Sequence, residues 1–153
     1  MIKVKSKVTI NTNVLKKLSQ ASIKSLEQTA EKLHTAVVQA QVVPRMDGHL
    51  QNEKFYVDTS KSHLGKIRLV FEGPYARRWY YNPETVFVSE YIIKKGKRKG
   101  YKVEAYTAHK ATFSKDENPN ATDHWFNDWL PGGKYQDFVR LTYAELLKKN
   151  GGL

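Results

Sequence analysis

The stretch TNVLKKLSQASIKSLEQTAEKLHTAVVQAQVVP, residues 12–44, decides the fold. Leu15, Leu18, Leu26, Ala30, Leu33, Val37 and Ala40, with Ser22 in the same register, recur in steps of three and four. That spacing predicts an amphipathic helix. It would be about 45 Å long if it ran unbroken to Val43. Asn11, Thr12 and Asn13 offer N-cap oxygens at its start. Pro44 ends it, because proline disfavours helical backbone in the residue before it, and Arg45-Met46-Asp47-Gly48 reads as a turn.

The flanks alternate with a period of two instead. Ile2, Val4, Val8 and Ile10 oppose Lys3, Lys5, Lys7 and Thr9, which predicts a half-buried strand with one basic face. Downstream of the helix, Phe55 and Val57 share one side of a short strand, and Ile67, Leu69 and Phe71 share one side of another. Residues 58–65 are the hairpin connection. Pro74 is placed to begin a short helix carrying Tyr75, Ala76, Trp79 and Tyr80, which Asn82-Pro83 ends. Residues 85–93 and 101–107 read as two more strands around the segment Lys94 to Gly100, a projecting hairpin (85–107) with a cationic tip. Residues 121–130 are expected as a short helix with Trp125 and Trp129 on one face, set against the sheet or a subunit contact. A last amphipathic helix carries Tyr135, Phe138, Val139, Tyr143, Leu146 and Leu147, with Lys148 and Lys149 suited to its C-terminal dipole and Gly151 as its stop. Strands adjoin strands more often than they alternate with helices. The fold class is therefore α+β: a long N-terminal helix packed on a mainly antiparallel sheet, in a single domain.

The 153 residues carry a net charge of +11, and its distribution matters more than its size. Residues 1–12 hold +3 through Lys3, Lys5 and Lys7. Residues 94–102 hold +6 through Lys94, Lys95, Lys97, Arg98, Lys99 and Lys102, and the other 132 residues hold only +2. Such blocks attract polyanions, because a cation seated on a phosphate releases a condensed counterion. The plainer alternative is a pair of solvated faces that aid solubility. No apolar run approaches the roughly 20 residues needed to span a bilayer, so no membrane contact is expected. The absence of cysteine excludes disulfides, thiolate metal sites and Cys nucleophiles.

Catalytic signatures are missing from the sequence. His34, His49, His63, His109 and His124 form no HExxH or His-x-His pattern, and there is no G-x-S-x-G elbow or phosphate-binding glycine loop. No cofactor or metal is expected. A small metal-independent nuclease of toxin type, built from His109 and His124, is one alternative; a standalone basic nucleic-acid-binding module is another. Tyr75, Trp79, Tyr80 and Tyr81 beside Arg77 and Arg78 could stack on single-stranded bases, but core packing is the stronger expectation for an aromatic short helix.

Three blocks in order resemble the minor capsid and head–tail joining (tail-completion) proteins of tailed bacteriophages and prophages. The long helix runs into Val42-Val43-Pro44-Arg45-Met46-Asp47-Gly48-His49-Leu50, similar to the family's Pro-to-Gly-x-Leu junction. Gly73-Pro74-Tyr75-Ala76-Arg77-Arg78-Trp79-Tyr80-Tyr81 resembles its Tyr-Ala helix, and residues 121–130 with the last helix resemble its Trp-containing block. Two departures stand out: Asn82-Pro83-Glu84 follows the aromatic helix where glycine is more usual, and the hairpin is longer than the family minimum. The resemblance implies a non-catalytic virion protein, assembled in the bacterial cytoplasm. Its partners would be copies of itself in a hexameric or larger ring, other neck, capsid and tail proteins, and duplex DNA passing through. It also implies structural roles for Pro44, Gly48, Leu50, Tyr75, Ala76, Trp79, Tyr80, Trp125 and Trp129. The hairpin becomes an arm for neighbouring subunits or for DNA.

Overall fold

The computed structural model describes residues 12–44, 54–72, 76–94 and 96–152. Along the chain run α1 (Thr12–Gln39), β1 (Phe55–Asp58), β2 (Arg68–Phe71), α2 (Ala76–Tyr81), β3 (Thr85–Val88), β4 (Tyr91–Ile92), β5 (Lys102–Val103), β6 (Tyr106–His109) and α3 (Phe138–Gly151). The fold is α+β, with a long N-terminal helix, small antiparallel sheets and a C-terminal helix. Strand pairing is divided among three two-stranded ladders, β1–β2, β3–β6 and β4–β5. The expected strand over residues 2–10 and the turn over 45–48 lie outside the described residues. Among the described residues no helix is long and apolar enough to cross a membrane.

The chain divides into two compact units. The first comprises residues 12–36, 56–70 and 127–152. Its α1 segment buries a narrow stripe of small residues, Ala21, Ser25, Thr29 and Ala30. The stripe admits close approach but carries hydroxyls, and each finds an acceptor: Ser25 Oγ donates to Ala21 O at 2.6 Å and Thr29 Oγ1 to Ser25 O at 2.7 Å. From α3, Asn150 Nδ2 reaches Ser25 Oγ at 2.9 Å and Gln28 Oε1 at 2.8 Å, while Tyr143 Oη and Ser22 Oγ are 2.7 Å apart. Satisfied polar groups therefore fix this helix contact together with Leu146, which is buried. At the other end of α1, Val14, Leu15 and Leu18 remain exposed, so the apolar stripe read from the sequence is covered only along its later part. The helix α3 stops one residue later than expected, at Gly152 in the left-handed conformation, whose N–H donates to Lys148 O.

The second unit comprises residues 37–44, 54–55, 71–72, 76–94 and 96–126. Here α1 ends at Gln39, four residues short of Val43, with Gln41 at φ 54°. The cause is lateral capture of the carbonyls. Ala40 O accepts from Asn120 Nδ2 (3.0 Å), Val42 O from the Thr122 N–H (3.0 Å) and Val43 O from Asn118 Nδ2 (2.7 Å). Val37, Val43 and Pro44 are fully enclosed at this junction. Phe55 and Phe71 stack with centroids 4.0 Å apart, and Trp125 and Phe126 meet Phe71 edge-on at 5.3 and 5.8 Å. Offset and edge-to-face pairs of this kind contribute about 0.5–1.5 kcal/mol each beyond area burial.

Residues 121–130 do not form the expected helix. Residues 121–126 are irregular, and only Asn127–Trp129 makes a single 3-10 turn. Their donors go elsewhere: the Thr122 N–H to Val42 O, and the His124 N–H to Tyr80 O at 2.8 Å, with His124 at φ 46°. Trp125 and Trp129 are both buried, but they belong to different units and share no helix face.

Asn118 is 2% exposed and holds Val43 O. Asn118→Ala leaves that buried carbonyl without its side-chain donor and is expected to cost about 1–3 kcal/mol in urea unfolding. Asn120→Ala, at an exposed site, should cost under about 0.5 kcal/mol.

Candidate functional site

The candidate site is the two-stranded arm made by β3 to β6. Thr85, Val86, Phe87 and Val88 pair with His109, Ala108, Thr107 and Tyr106. Tyr91 and Ile92 pair with Val103 and Lys102 in a second ladder, whose hydrogen-bonded pairs are out of phase with those of the first. Ile93 N–H donates to Tyr101 O (3.0 Å) and Gly100 N–H to Ile93 O (2.8 Å), closing the tip. Within the tip, Lys99 N–H bonds Gly96 O and Tyr101 N–H bonds Arg98 O, both at 3.1 Å. Gly96 and Gly100 sit at φ 83° and 90°, where a side chain would be strained.

Within each ladder alternate residues share a face. In the inner ladder Tyr91, Ile93, Tyr101 and Val103 share one face, with no charged side chain, and Ile92 and Lys102 share the other. In the outer ladder Val86, Val88 and Ala108 are half-buried on one face and Phe87 stands on the opposite one. Phe87 is 73% exposed, Tyr101 67% and Ile92 60%, so neither face of the outer arm is covered.

At its root the arm is locked by Asn82. Lys110 N–H donates to Glu84 O at 3.0 Å, the last backbone bond of the outer ladder at this end. The Asn82 side chain carries the pairing one residue further: its Oδ1 accepts from Ala111 N–H at 2.8 Å and its Nδ2 donates to Ala111 O at 3.0 Å. Nδ2 also lies 3.3 Å from Asp123 Oδ2, and Asp123 Oδ1 lies 3.3 Å from His124 Nδ1. The Asn82 N–H ends α2 by bonding Arg78 O at 2.7 Å. The backbone turns at Asn82 with φ 37°, a left-handed value that asparagine tolerates better than most residues. Nothing in the sequence pattern alone shows this role; the signal was Asn-Pro after a helix, which reads simply as a stop.

The structure places the expected contact residues unevenly. Lys94, Lys97, Arg98 and Lys99 are exposed and come together at the tip. Lys102 is set apart from them, 2.9 Å from Glu90 and 3.5 Å from Glu104, so two acids offset its charge locally. Lys95, and Lys3, Lys5 and Lys7, lie outside the described residues, as do Gly48, Leu50 and Tyr75. Among the other structural positions, Pro44, Ala76, Trp125 and Trp129 are buried. Trp79 is half-buried and stacks on Phe113 at 6.0 Å, and Tyr80 packs edge-on against Trp125 at 4.9 Å. The aromatic helix α2 thus builds core through Trp79 and Tyr80, while Tyr81 stays 55% exposed under Arg77, at 6.0 Å.

His109 pairs with Thr85 at the arm's root, and His124 abuts Asp123 and the Tyr80 and Tyr81 rings. Among the described residues no group of three or more His, Cys, Asp or Glu could hold a metal ion. In the first unit an open groove of about 500 Å³ is lined by Leu26, Ala30, Leu33, Ile67, Leu69 and Val139, with Lys66 and Arg68 at its edge. No protein-family model, no curated protein and no solved structure matches the chain.

Burial, and to a lesser degree the neighbouring Tyr81, raises the Tyr80 hydroxyl above the ordinary tyrosine range. The folded chain therefore holds this proton longer than the unfolded chain. Ionisation of Tyr80 does not affect stability below about pH 10, and stability falls as pH rises beyond that value. In an alkaline titration followed by tyrosine absorbance, a late-ionising fraction is expected in the wild type and should vanish in Tyr80→Phe.

Proposed function

We propose that this chain is a structural component of a tailed phage or prophage particle, a minor capsid or head–tail connector subunit that acts by assembling into a ring and performs no catalysis. The observation that carries the proposal is the arm: two successive two-stranded ladders, rooted by Asn82, with large apolar side chains left exposed. A two-stranded ribbon standing by itself is marginally stable in water, and a sequence that keeps Phe87, Tyr101 and Ile92 exposed on one has a surface suited to a partner.

Two further features support the same reading. The three motif blocks occur in family order, and they coincide with the end of α1, with α2 and with the Trp125 segment leading to α3. The departure at Asn82 also has a physical reason. Where the family more usually has glycine, Asn82 holds a left-handed backbone, and its side chain bonds both backbone groups of Ala111. A longer arm extends the contact surface without altering the body. In the assembled ring, neighbouring copies and adjoining neck, capsid or tail proteins would cover the exposed Phe87, Ile92 and Tyr101.

Mass spectrometry of purified particles induced from the source bacterium is expected to find the chain in stoichiometric amounts. Disrupting its gene should leave DNA-filled heads and unjoined tails in electron micrographs. Absence of the chain from purified particles, or normal particles without its gene, would overturn the proposal.

A further inference from the structure

We infer that the tip of the arm is a sequence-independent contact for the phosphate backbone of duplex DNA, made by Lys94, Lys97, Arg98 and Lys99. All four are exposed on the loop that joins Ile93 to Tyr101. The acids nearest in sequence, Glu90 and Glu104, lie back on the ribbon and face Lys102, so the tip cations have no acid beside them in sequence or across the ladder. The result is a separation of charge along one element: a locally compensated shaft and an uncompensated end.

The geometry matches a duplex better than an acidic protein surface. The major groove of B-DNA, about 12 Å wide, admits a two-stranded ribbon, and the arm is two strands wide throughout. A duplex presents a negative charge about every 1.7 Å along its axis. Cations fanning from a turn meet phosphates in any register there, whereas a protein partner would need a matched set of carboxylates. The four side chains are all cations and need only phosphate oxygens, which are the same at every base pair, so the contact does not depend on sequence. Four such contacts give weak, rapidly exchanging binding at physiological salt.

The inference is independent of the virion proposal, because it concerns the isolated chain. DNA binding by a chain that never enters particles would leave this inference standing and remove the other. The experiment is fluorescence anisotropy of the full chain with a labelled mixed-sequence duplex between about 50 and 200 mM salt. Four phosphate contacts predict that log K falls with log salt at a slope of about −3.6 or steeper. The K97A/R98A/K99A variant should flatten that slope by about 2.7. The K16A/K17A/K24A variant removes equal charge from exposed positions on α1 and should leave the slope unchanged. Circular dichroism checks folding, and Arg98→Glu alone carries the comparison should the triple variant unfold. Failure of the folded wild type to bind at the lowest salt, or equal losses in the two triple variants, would overturn the inference.

Discussion

The side-chain amide of Asn82 is the interaction on which the arm depends. A ribbon closed by backbone hydrogen bonds has no reason to point anywhere unless its base is fixed. Beyond the Lys110–Glu84 bond no backbone pair among the described residues holds the two strands, and Asn82 holds Ala111 with both amide atoms. The same residue ends α2 and reaches Asp123. It is 7% exposed, so these bonds form where water competes poorly. One buried residue thus ties the arm to the aromatic helix and to the Trp125 segment.

A similar device shapes the end of α1. A helix end leaves carbonyls without intrahelical donors, and a buried end must find others. Asn118, Asn120 and the Thr122 N–H supply them to Val43, Ala40 and Val42. The segment around Asn118 looks like surface loop by composition, yet it is a cap for a helix more than seventy residues earlier. The body is consequently held at its turns by asparagine amides, with aromatic packing filling the space between them.

Periodicity made the large elements legible. The steps of three and four predicted α1, and alternation predicted β1 and β2, because a regular pattern needs only local backbone geometry; the arm's strands were legible from their Val, Ile, Tyr and Thr content. The charge blocks likewise pointed to the tip before any register was known. What stayed hidden depended on partners distant in sequence. The early end of α1, the irregular path of residues 121–126 and the hold of Asn82 on Ala111 all rest on side-chain-to-backbone or backbone bonds over long separations. Trp125 and Trp129, spaced four apart, mimicked a helix face. The donors of Thr122 and His124 are directed at Val42 and Tyr80 instead, and that decided the path.

Partitioned by the structure, the charge of this chain is concentrated at the end of a lever whose other end is fixed by Asn82. The claim that this residue roots the arm is tested most directly by amide hydrogen exchange, measured residue by residue in the wild type and in Asn82→Ala. In the wild type the Ala111 amide should be protected. In the variant it should exchange many-fold faster, with protection falling along β3 and β6 and unchanged around Leu146 in α3. Equal protection of Ala111 in the two proteins would contradict the account.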